Sequence, residues 1–406
     1  MLHFESASNA HIDSAHAMEE AVASASRLAG RPLDEARLLV FHATMGHDEG
    51  ALAAAARRVC PHARTVGCSV AGVIGREGAN EQMHALAVMV VWGPPEELFV
   101  AVQPHLDGAN ATEASTALAE AVVAGRGVPR FALFLGSGID IDVRGCINGV
   151  ESVFGREVTL FGGTSSDNMK GIASYQLIDG AVHERAAVLV GFFDPTLRVH
   201  TQASHGFIPL GVEMTVTRAS GNRVHELDGR PAWETYTRNL GLPSTATPAD
   251  TIPPGALGVA LDPARAAEYG DSHLLRAVTH RTDDGGLLMP VACPAGTRLA
   301  LMQRDEARIF GNLDVLMAQI CAQVGEGEVV AVFHADCGAR GRATLDRIAK
   351  EEIVEAMQAP LRRGAGTPPW LGMYGFGEVA RLGGRNMFHN YTTALYVIIR
   401  DPVGPS

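Results

Sequence analysis

Three short apolar runs dominate the hydrophobic pattern of the chain. They cover residues 38–44, 131–137 and 329–337, and each contains a phenylalanine and ends in small or polar residues. Continuous apolar runs of this length, rich in β-branched residues, predict buried strands. A strand that ends in a small-residue loop and feeds a helix is where α/β proteins usually place ligands. The third run carries the most reactive side chains, so we take it as the centre of the candidate site.

The segments after these three runs also resemble one another. A helical pattern comes next, then a strand that leads into a predicted glycine-rich turn, at Gly67, Gly162 and Gly372. Another apolar strand comes after each turn. This recurrence predicts one supersecondary unit used at least three times, the last with a longer insert. The predicted units cover residues 38–92, 131–193 and 329–400.

Periodicity and turn chemistry predict several further elements. An apolar stripe at helical spacing follows Ser14, which is a candidate N-cap, and a clearer helix covers residues 307–324. Asp179 and the glycine after it predict a tight hairpin turn. Asp228 is a second candidate N-cap.

Together these elements predict an α/β fold of mixed sheets with packed helices. The chain would form two related halves built from repeated strand–helix–strand–glycine turn–strand units. We expect the ligand pocket where the loops after the repeat strands meet the glycine turns.

Composition and charge narrow the function and the compartment. The net charge of −12 argues against nucleic acid and anionic membranes as partners. No apolar run is long enough to span a bilayer, and the N-terminus lacks the pattern of a signal peptide. Six cysteines without a CxxC pair argue against a zinc ribbon and favour a reducing compartment, so we expect a cytoplasmic protein.

Cys337 is the first candidate for chemistry, because it follows the third strand beside a carboxylate and a guanidinium. A helix N-terminus and a nearby cation would lower the pKa of the thiol, which would suit a nucleophile, a redox sensor or a haem ligand. The alternative is a small, buried, inert residue. Arg340 and Arg342 are candidates for holding a ligand carboxylate, or else for surface ion pairs.

Glu378 lies in a glycine-rich segment beside Gly377, where the backbone can approach a ligand. Its carboxylate would suit a ligand ammonium, so Glu378 and Arg340 together predict a clamp for an amino acid. Asn390 and Thr392, just before the last strand, would add neutral hydrogen bonds. The alternatives are turn geometry for the glycine and a solvated charge for Glu378.

Other candidate residues are spread along the chain. The predicted turns could offer backbone N–H groups to the ligand at Gly67, Ser69, Gly162 and Gly163. If haem is bound, His205 and His389 are candidate iron ligands because both lie in loop-like sequence.

The order of these motifs resembles the FIST family. Gly67 to Gly72 and the Gly162–Gly163 pair resemble its N-terminal half, while the His205–Gly206 segment and the segment from Cys337 to Arg340 resemble its C-terminal half. The resemblance covers residues 38–401 and implies a FIST N-terminal domain at 30–200 and a FIST C-terminal domain at 201–402.

The resemblance implies a sensory protein that binds a small ligand, such as an amino acid, and passes its state to a separate signalling partner. Some stand-alone members are similar haem proteins that sense nitric oxide and act on a histidine kinase. A haem protein, sensing a gas or doing haem chemistry, is therefore the second hypothesis. An enzyme that uses Cys337 for acyl or amide transfer is the third, and we favour a protein that is not an enzyme.

Overall fold

The computed structural model describes residues 1–341, 344–345, 347–364 and 366–402 of the chain. Within this part, the backbone forms three units of the same topology and one inserted domain. The elements of the first unit are β1 (His3–Asn9), α1 (Ser14–Ala29), β2 (Ala36–Thr44), α2 (Glu49–Val59), β3 (Arg64–Val70), β4 (Val73–Gly75), β5 (Gly78–Asn80) and β6 (Leu86–Trp92).

The second unit repeats the same order of strands and helices. Its elements are β7 (Leu98–Pro104), α3 (Ala111–Arg126), β8 (Phe131–Gly136), α4 (Val143–Phe154), β9 (Thr159–Thr164), β10 (Gln176–Ile178), β11 (Ala181–His183) and β12 (Ala186–Phe192).

The third unit opens with β13 (Leu197–Ser204) and is then interrupted by the inserted domain. This domain is built around an eight-stranded sheet, with short helices between its strands. Its elements are β14 (Phe207–Ser220), β15 (Arg223–Leu227), β16 (Arg230–Pro231), α5 (Ala232–Asn239), α6 (Pro248–Thr251), β17 (Ala256–Ala260), α7 (Pro263–Tyr269), β18 (His273–Arg276), β19 (His280–Arg281), β20 (Leu287–Leu288) and β21 (Arg298–Arg304).

The chain then returns to complete the third unit. The remaining elements are α8 (Glu306–Val324), β22 (Glu328–Cys337), α9 (Arg347–Gln358), β23 (Trp370–Gly375), β24 (Gly377–Leu382), β25 (Arg385–His389) and β26 (Thr393–Arg400).

Each unit contributes four strands in the same order and direction. The orders are β1-β6-β2-β3, β7-β12-β8-β9 and β13-β26-β22-β23. In each, the last two strands are parallel and the other neighbours are antiparallel. The predicted α/β class with related, repeated units is therefore confirmed. The longer insert expected in the third unit lies between β22 and β23, whereas the domain inserted between β13 and α8 was not predicted.

The three units are joined in a ring by exchange of their hairpins. The β4–β5 hairpin of the first unit pairs with β23 of the third. The β10–β11 hairpin of the second pairs with β3 of the first, and the β24–β25 hairpin of the third pairs with β9 of the second. Each six-stranded sheet is therefore completed by a neighbouring unit.

The core lies between the three sheets, with helices on their outer faces. Phe131, Phe161 and Phe333 meet there, with ring centroids of Phe161 and Phe333 5.4 Å apart. The helices α1 and α2, α3 and α4, and α8 and α9 cover the outer face of one sheet each. Because both faces are covered, strands such as β6 and β8 are buried at every residue, as their continuous apolar runs require.

The predicted glycine turns lie inside strands instead. Gly67 is in β3 directly opposite Phe41, and a Cβ at Gly67 would lie 2.4 Å from the Phe41 ring. Gly162 and Gly163 are in β9 and pair with both β8 and β24. The glycines recur because the neighbouring strand occupies the space of a side chain, and their backbone groups take part in strand pairing.

Two predicted caps are corrected by the structure. The N-cap of α1 is Asp13, whose side chain accepts the N–H of His16, and Ser14 is the first helical residue. Asp228 lies in a turn before α5, which begins at Ala232. The predicted hairpin turn after β10 and the long helix α8 are confirmed. Within the described ranges, no helix has the length and hydropathy that crossing a membrane requires.

Candidate ligand-binding site

A cavity of about 380 Å³ lies where the inserted domain meets the second and third units. The units contribute the segments that follow β8, β9, β22 and β23, and the inserted domain contributes α6 and the segment that enters β19. Small-molecule sites usually have volumes of about 300–1,000 Å³. The cavity lies where segments after the repeat strands meet the inserted domain, and the glycines of the predicted turns do not line it. A ligand pocket at the loops after the repeat strands stays a prediction.

The walls of this cavity are mostly apolar. Ile139 and Met169 come from the second unit, Ile252 and Val278 from the inserted domain, and Phe376 from the third unit. An apolar lining with a few polar groups is the usual composition of a small-molecule site. Side chains that are far apart in sequence thus form one apolar wall that can enclose a ligand.

A larger cleft of about 560 Å³ beside β13 and α8 is polar and lies at the surface. Its main cation, Arg381, is committed to protein groups, because it donates hydrogen bonds to the carbonyls of Arg156, Glu157 and Gly384. We therefore place the candidate site in the smaller, apolar cavity.

Cys337 lines the cavity at the end of β22, and its side chain is buried. Burial raises the pKa of the Cys337 thiol well above its ordinary value, and the nearby Glu378 acts in the same direction. The expectation of a lowered thiol pKa is therefore wrong, because burial outweighs any effect of Arg340. The protonated thiol is a small, weakly polar part of the wall.

Arg340 is adjacent to the cavity but does not line it. Its guanidinium is 2% exposed, and Nε donates to Asp336 Oδ1 at 2.8 Å while Nη1 donates to the carbonyl of His205 at 3.0 Å. The neighbouring Ala339 lines the cavity instead. Arg342 lies outside the described residues.

Glu378 is fully buried on β24. Its Oε2 accepts a hydrogen bond from the Thr392 hydroxyl at 2.5 Å. Burial raises the pKa of Glu378 well above its ordinary value, which favours the neutral acid over the carboxylate. A neutral carboxyl group is a poor partner for a ligand ammonium, so the clamp of Arg340 and Glu378 stays a prediction that the cavity lining does not support.

Asn390 connects the third unit to the inserted domain behind the cavity. Its Nδ2 donates to the carbonyl of Phe376 at 3.1 Å, and its Oδ1 accepts the N–H of Ala277 at 3.2 Å. Gly377 is required by packing, since a Cβ there would lie 2.0 Å from the ring of Phe388. These predicted site residues hold the walls in place and do not line the cavity.

Ser69 fastens the loop of residues 167–174, which forms one side of the cavity. Its Oγ donates to the carbonyl of Ser166 at 2.9 Å and accepts the N–H of Tyr175 at 2.8 Å. These contacts hold both ends of the loop, so Ser69, like Gly67, Gly162 and Gly163, supports the site from behind.

The same loop is braced from inside by the buried carboxylate of Asp167. It accepts the N–H groups of Lys170 and Ile172 at 2.8 Å each and that of Gly171 at 3.0 Å. This bracing fixes the positions of Met169 and Lys170 at the cavity.

His205 does not fit the role of a haem ligand in this structure. Its Nδ1 accepts the N–H of Phe207 at 2.9 Å, and its Nε2 lies 2.8 Å from the carbonyl of His273, which requires Nε2 to carry the proton. The ring is enclosed, and burial lowers the pKa of His205. Neither nitrogen is left to bind iron.

His389 is enclosed in the same way. The Tyr269 hydroxyl lies 3.0 Å from Nδ1, and the carbonyl of Ala380 lies 3.3 Å from Nε2. Burial lowers the pKa of His389 to about 3, so the ring is neutral. The two predicted haem ligands therefore lack a free nitrogen, and these residues do not fit haem in this structure.

Several polar residues outside the predicted site residues also line the cavity, among them His280 and Tyr391. His280 donates from Nε2 to the carbonyl of Gly171 at 3.0 Å, and its Nδ1 is buried without a partner in the described part of the chain. Tyr391 is 3% exposed and has a left-handed backbone conformation at φ 58°. Both are hydrogen-bonding groups that a ligand can use.

Curated relatives match only part of the chain. An uncharacterized protein of Methanocaldococcus jannaschii is 34% identical over 102 residues, which make up 25% of this chain and 20% of that protein. An uncharacterized protein of Mycobacterium bovis is 22% identical over 214 residues, or 52% of this chain and 54% of that protein. The chain thus spans about a fifth and about half of the lengths of these relatives.

Among solved structures, the chain has distant likenesses to two proteins. A cyanuric acid hydrolase aligns over 99% of this chain and 100% of its own, with 7% identity and a TM-score of 0.38. PurLQS from Thermotoga maritima aligns over 98% of this chain and 72% of its own, with 10% identity and a TM-score of 0.25. At these scores neither likeness says anything about function.

The family comparison covers most of the chain. Residues 37–230 match the FIST N domain, and residues 232–381 match the FIST C domain. The segments that line the cavity fall in both matched regions, apart from the end that carries Tyr391. With both domains present in order, the chain belongs to the FIST family.

Proposed function

We propose that this protein is a cytoplasmic sensor that binds a small molecule in the 380 Å³ cavity and passes its state to a separate signalling protein, such as a histidine kinase. FIST domains are associated with small-ligand binding in sensory signalling. The observation that carries the proposal is the position of the cavity, which is shared by the inserted domain and two of the three units.

This position links ligand binding to the arrangement of the inserted domain and the third unit. A ligand in the cavity contacts Ile252 of the inserted domain and Phe376 of the third unit together. Such a ligand stabilises arrangements in which the two parts are close. The size of this stabilisation equals the difference in binding free energy between those arrangements and the others. A partner that contacts either part can read this change.

A cavity-filling substitution tests the proposal. Wild type and Ala277→Trp are screened against a small-molecule library by thermal unfolding, since a ligand at 100 times its Kd stabilises the folded state by about 2.7 kcal/mol. Ala277 lines the cavity, and a tryptophan side chain there occupies the space of a ligand. We expect compounds that raise the unfolding temperature of wild type and have no effect on Ala277→Trp.

The matched control is Ala322→Trp, on the exposed side of α8 away from the cavity. It should respond to the same compounds as wild type. If Ala277→Trp fails to fold, Ala339→Phe fills the cavity from the third unit. Compounds that bind wild type and both cavity variants equally would move the ligand site elsewhere.

A further inference from the structure

Among the described residues that line the cavity, Lys170 is the one with a permanently charged side chain. The chain contains two lysines, and Lys170 lies at the mouth of the cavity. It is exposed, and the described residues provide its ammonium group with no ion pair. The other lysine, Lys350, is paired with Glu81. The chain as a whole has a net charge of −12, whereas the free ammonium of Lys170 places a positive charge at the cavity.

The lining contains no aspartate or glutamate within the part of the chain that is described. Two carboxylates beside lining segments are already engaged: Asp167 accepts backbone N–H groups, and Asp250 accepts from Thr247. A ligand ammonium would therefore enter the cavity without an anionic partner, at a high desolvation cost.

The interior offers a second observation that points to a ligand. Tyr391 lines the cavity at 3% exposure, and no hydrogen bond joins its hydroxyl to the described residues. His280 lines the cavity as well, and its Nδ1 is buried without a partner in the same part of the chain. Buried polar atoms normally have a partner. A polar group on a ligand would supply one, while Met169, Ile252 and Phe376 contact its apolar part.

We infer that the ligand is a small carboxylic acid with an apolar body and no ammonium group, with its carboxylate at Lys170. This inference rests on the proposed sensor function and names the ligand class of the same cavity. Such an acid lacks the ammonium group of an amino acid, and the cavity lining holds no anionic partner for that group.

A matched series of probes tests this inference: 3-phenylpropionate, 3-phenylpropanamide and L-phenylalanine share an apolar body and differ in charge. Calorimetric titration of wild type should show the acid binding at least about fivefold more tightly than the amide, as expected for a charge-assisted contact at a partly exposed site. L-Phenylalanine should bind more weakly than the acid.

Lys170→Gln should weaken binding of the acid by about five- to tenfold and leave the amide unchanged. Arg126→Gln, at the exposed end of α3, removes the same charge away from the cavity and should bind the acid like wild type. Equal binding of acid and amide, or an acid affinity that Lys170→Gln does not change, would overturn the inference.

The outcomes separate this inference from the proposed function. If neutral compounds bind and Ala277→Trp abolishes their binding, the sensor proposal stands and the assignment of an acid is wrong. If neither the three probes nor any library compound binds in a way that Ala277→Trp disturbs, both are wrong. If L-phenylalanine binds most tightly, the ammonium has a partner and the class is amino acids.

Discussion

The carboxyl group of Glu378 is enclosed by protein, with one oxygen bonded to the Thr392 hydroxyl and the other unpartnered in the described structure. Its pKa is raised by burial, so the folded state holds a proton that the unfolded chain releases above pH of about 4.5. Stability must therefore fall as the pH rises from there towards the folded-state pKa, by up to about 1.4 kcal/mol per pH unit.

Glu378→Gln removes this proton linkage while keeping an acceptor for Thr392. We expect the variant to gain stability relative to wild type as the pH rises from 5 to 8, with urea unfolding as the measurement. Glu226→Gln, at a partly exposed position in the inserted domain, serves as the control and should show no such trend. A constant difference between Glu378→Gln and wild type over this range would mean that Glu378 is ionised in the folded state.

The hydroxyl of Tyr269 has a hydrogen-bond partner, whereas that of Tyr391 has none among the residues described. Tyr391→Phe removes a hydroxyl without a partner among the residues described, so we expect the free energy of unfolding to stay within about 0.5 kcal/mol of wild type or to rise. Tyr269→Phe removes the bond to His389 Nδ1 and should cost about 1 kcal/mol or more. A large loss in Tyr391→Phe alone would show that its hydroxyl has a partner in solution.

At the scale of elements, the glycines of the paired strands are positions where packing excludes a side chain. Gly67→Ala places a Cβ against the ring of Phe41, so we expect a loss of about 1–3 kcal/mol, measured by chemical unfolding. Phe41→Leu in the same chain should recover part of this loss, because the smaller side chain leaves room.

The control for this prediction is Gly311→Ala, in the exposed middle of α8, where a Cβ meets nothing within 4 Å. Alanine has the higher helix propensity, so this variant should gain up to about 1 kcal/mol. A Gly67→Ala variant as stable as wild type would show that the strands of the first unit can move apart without cost.

The loop of residues 167–174 is held by the side chain of Asp167, and this role can be tested. Asp167→Ala removes the acceptor of several backbone N–H groups, and the amides of Lys170 to Ile172 should then exchange with solvent at least about tenfold faster. Hydrogen exchange of wild type and the variant measures this directly. Unchanged exchange would mean that Ser69 alone holds the loop.

At the scale of the molecule, the exchange of hairpins means that no unit completes its sheet by itself. We therefore expect the units to unfold together. Trp92 lies in the first unit and Trp370 in the third, so variants that keep only one of them, with phenylalanine at the other tryptophans, report on each unit.

In each such variant, the fluorescence and far-ultraviolet circular dichroism transitions in urea should have the same midpoint. A variant that keeps only Trp233 reports on the inserted domain, which is outside the ring and has its own core. A fluorescence midpoint for Trp92 well below the circular dichroism midpoint would show that the first unit opens alone, in conflict with the exchanged hairpin.

The sequence by itself determined the local elements, the repetition and the family. The apolar runs around Phe41, Phe134 and Phe333 specify buried strands because both faces must be covered, and periodicity alone locates α8. The turn after β10 is predicted by an Asp-Gly pair that suits a tight hairpin. These features depend on residues close together in the chain, so they can be deduced without a structure.

Only the tertiary structure decided which side chains line the cavity. Cys337 was found from the sequence, but the structure places Ala339, Phe376 and Tyr391 at the wall and their neighbours Arg340, Gly377 and Asn390 behind it. These residues lie in or beside the turns after β22, β23 and β25, where neighbouring side chains point in different directions, so an error of one residue exchanges wall and support.

The charge states also depended on contacts between distant segments. The guanidinium of Arg340 is paired with Asp336, and Glu378 is enclosed by strands of two units, so neither side chain is free to bind a ligand charge. Which unit receives each hairpin, and where the inserted domain meets the ring, are set by the same long-range packing. The sequence identifies the segments of the site, and their packing decides which atoms a ligand can reach.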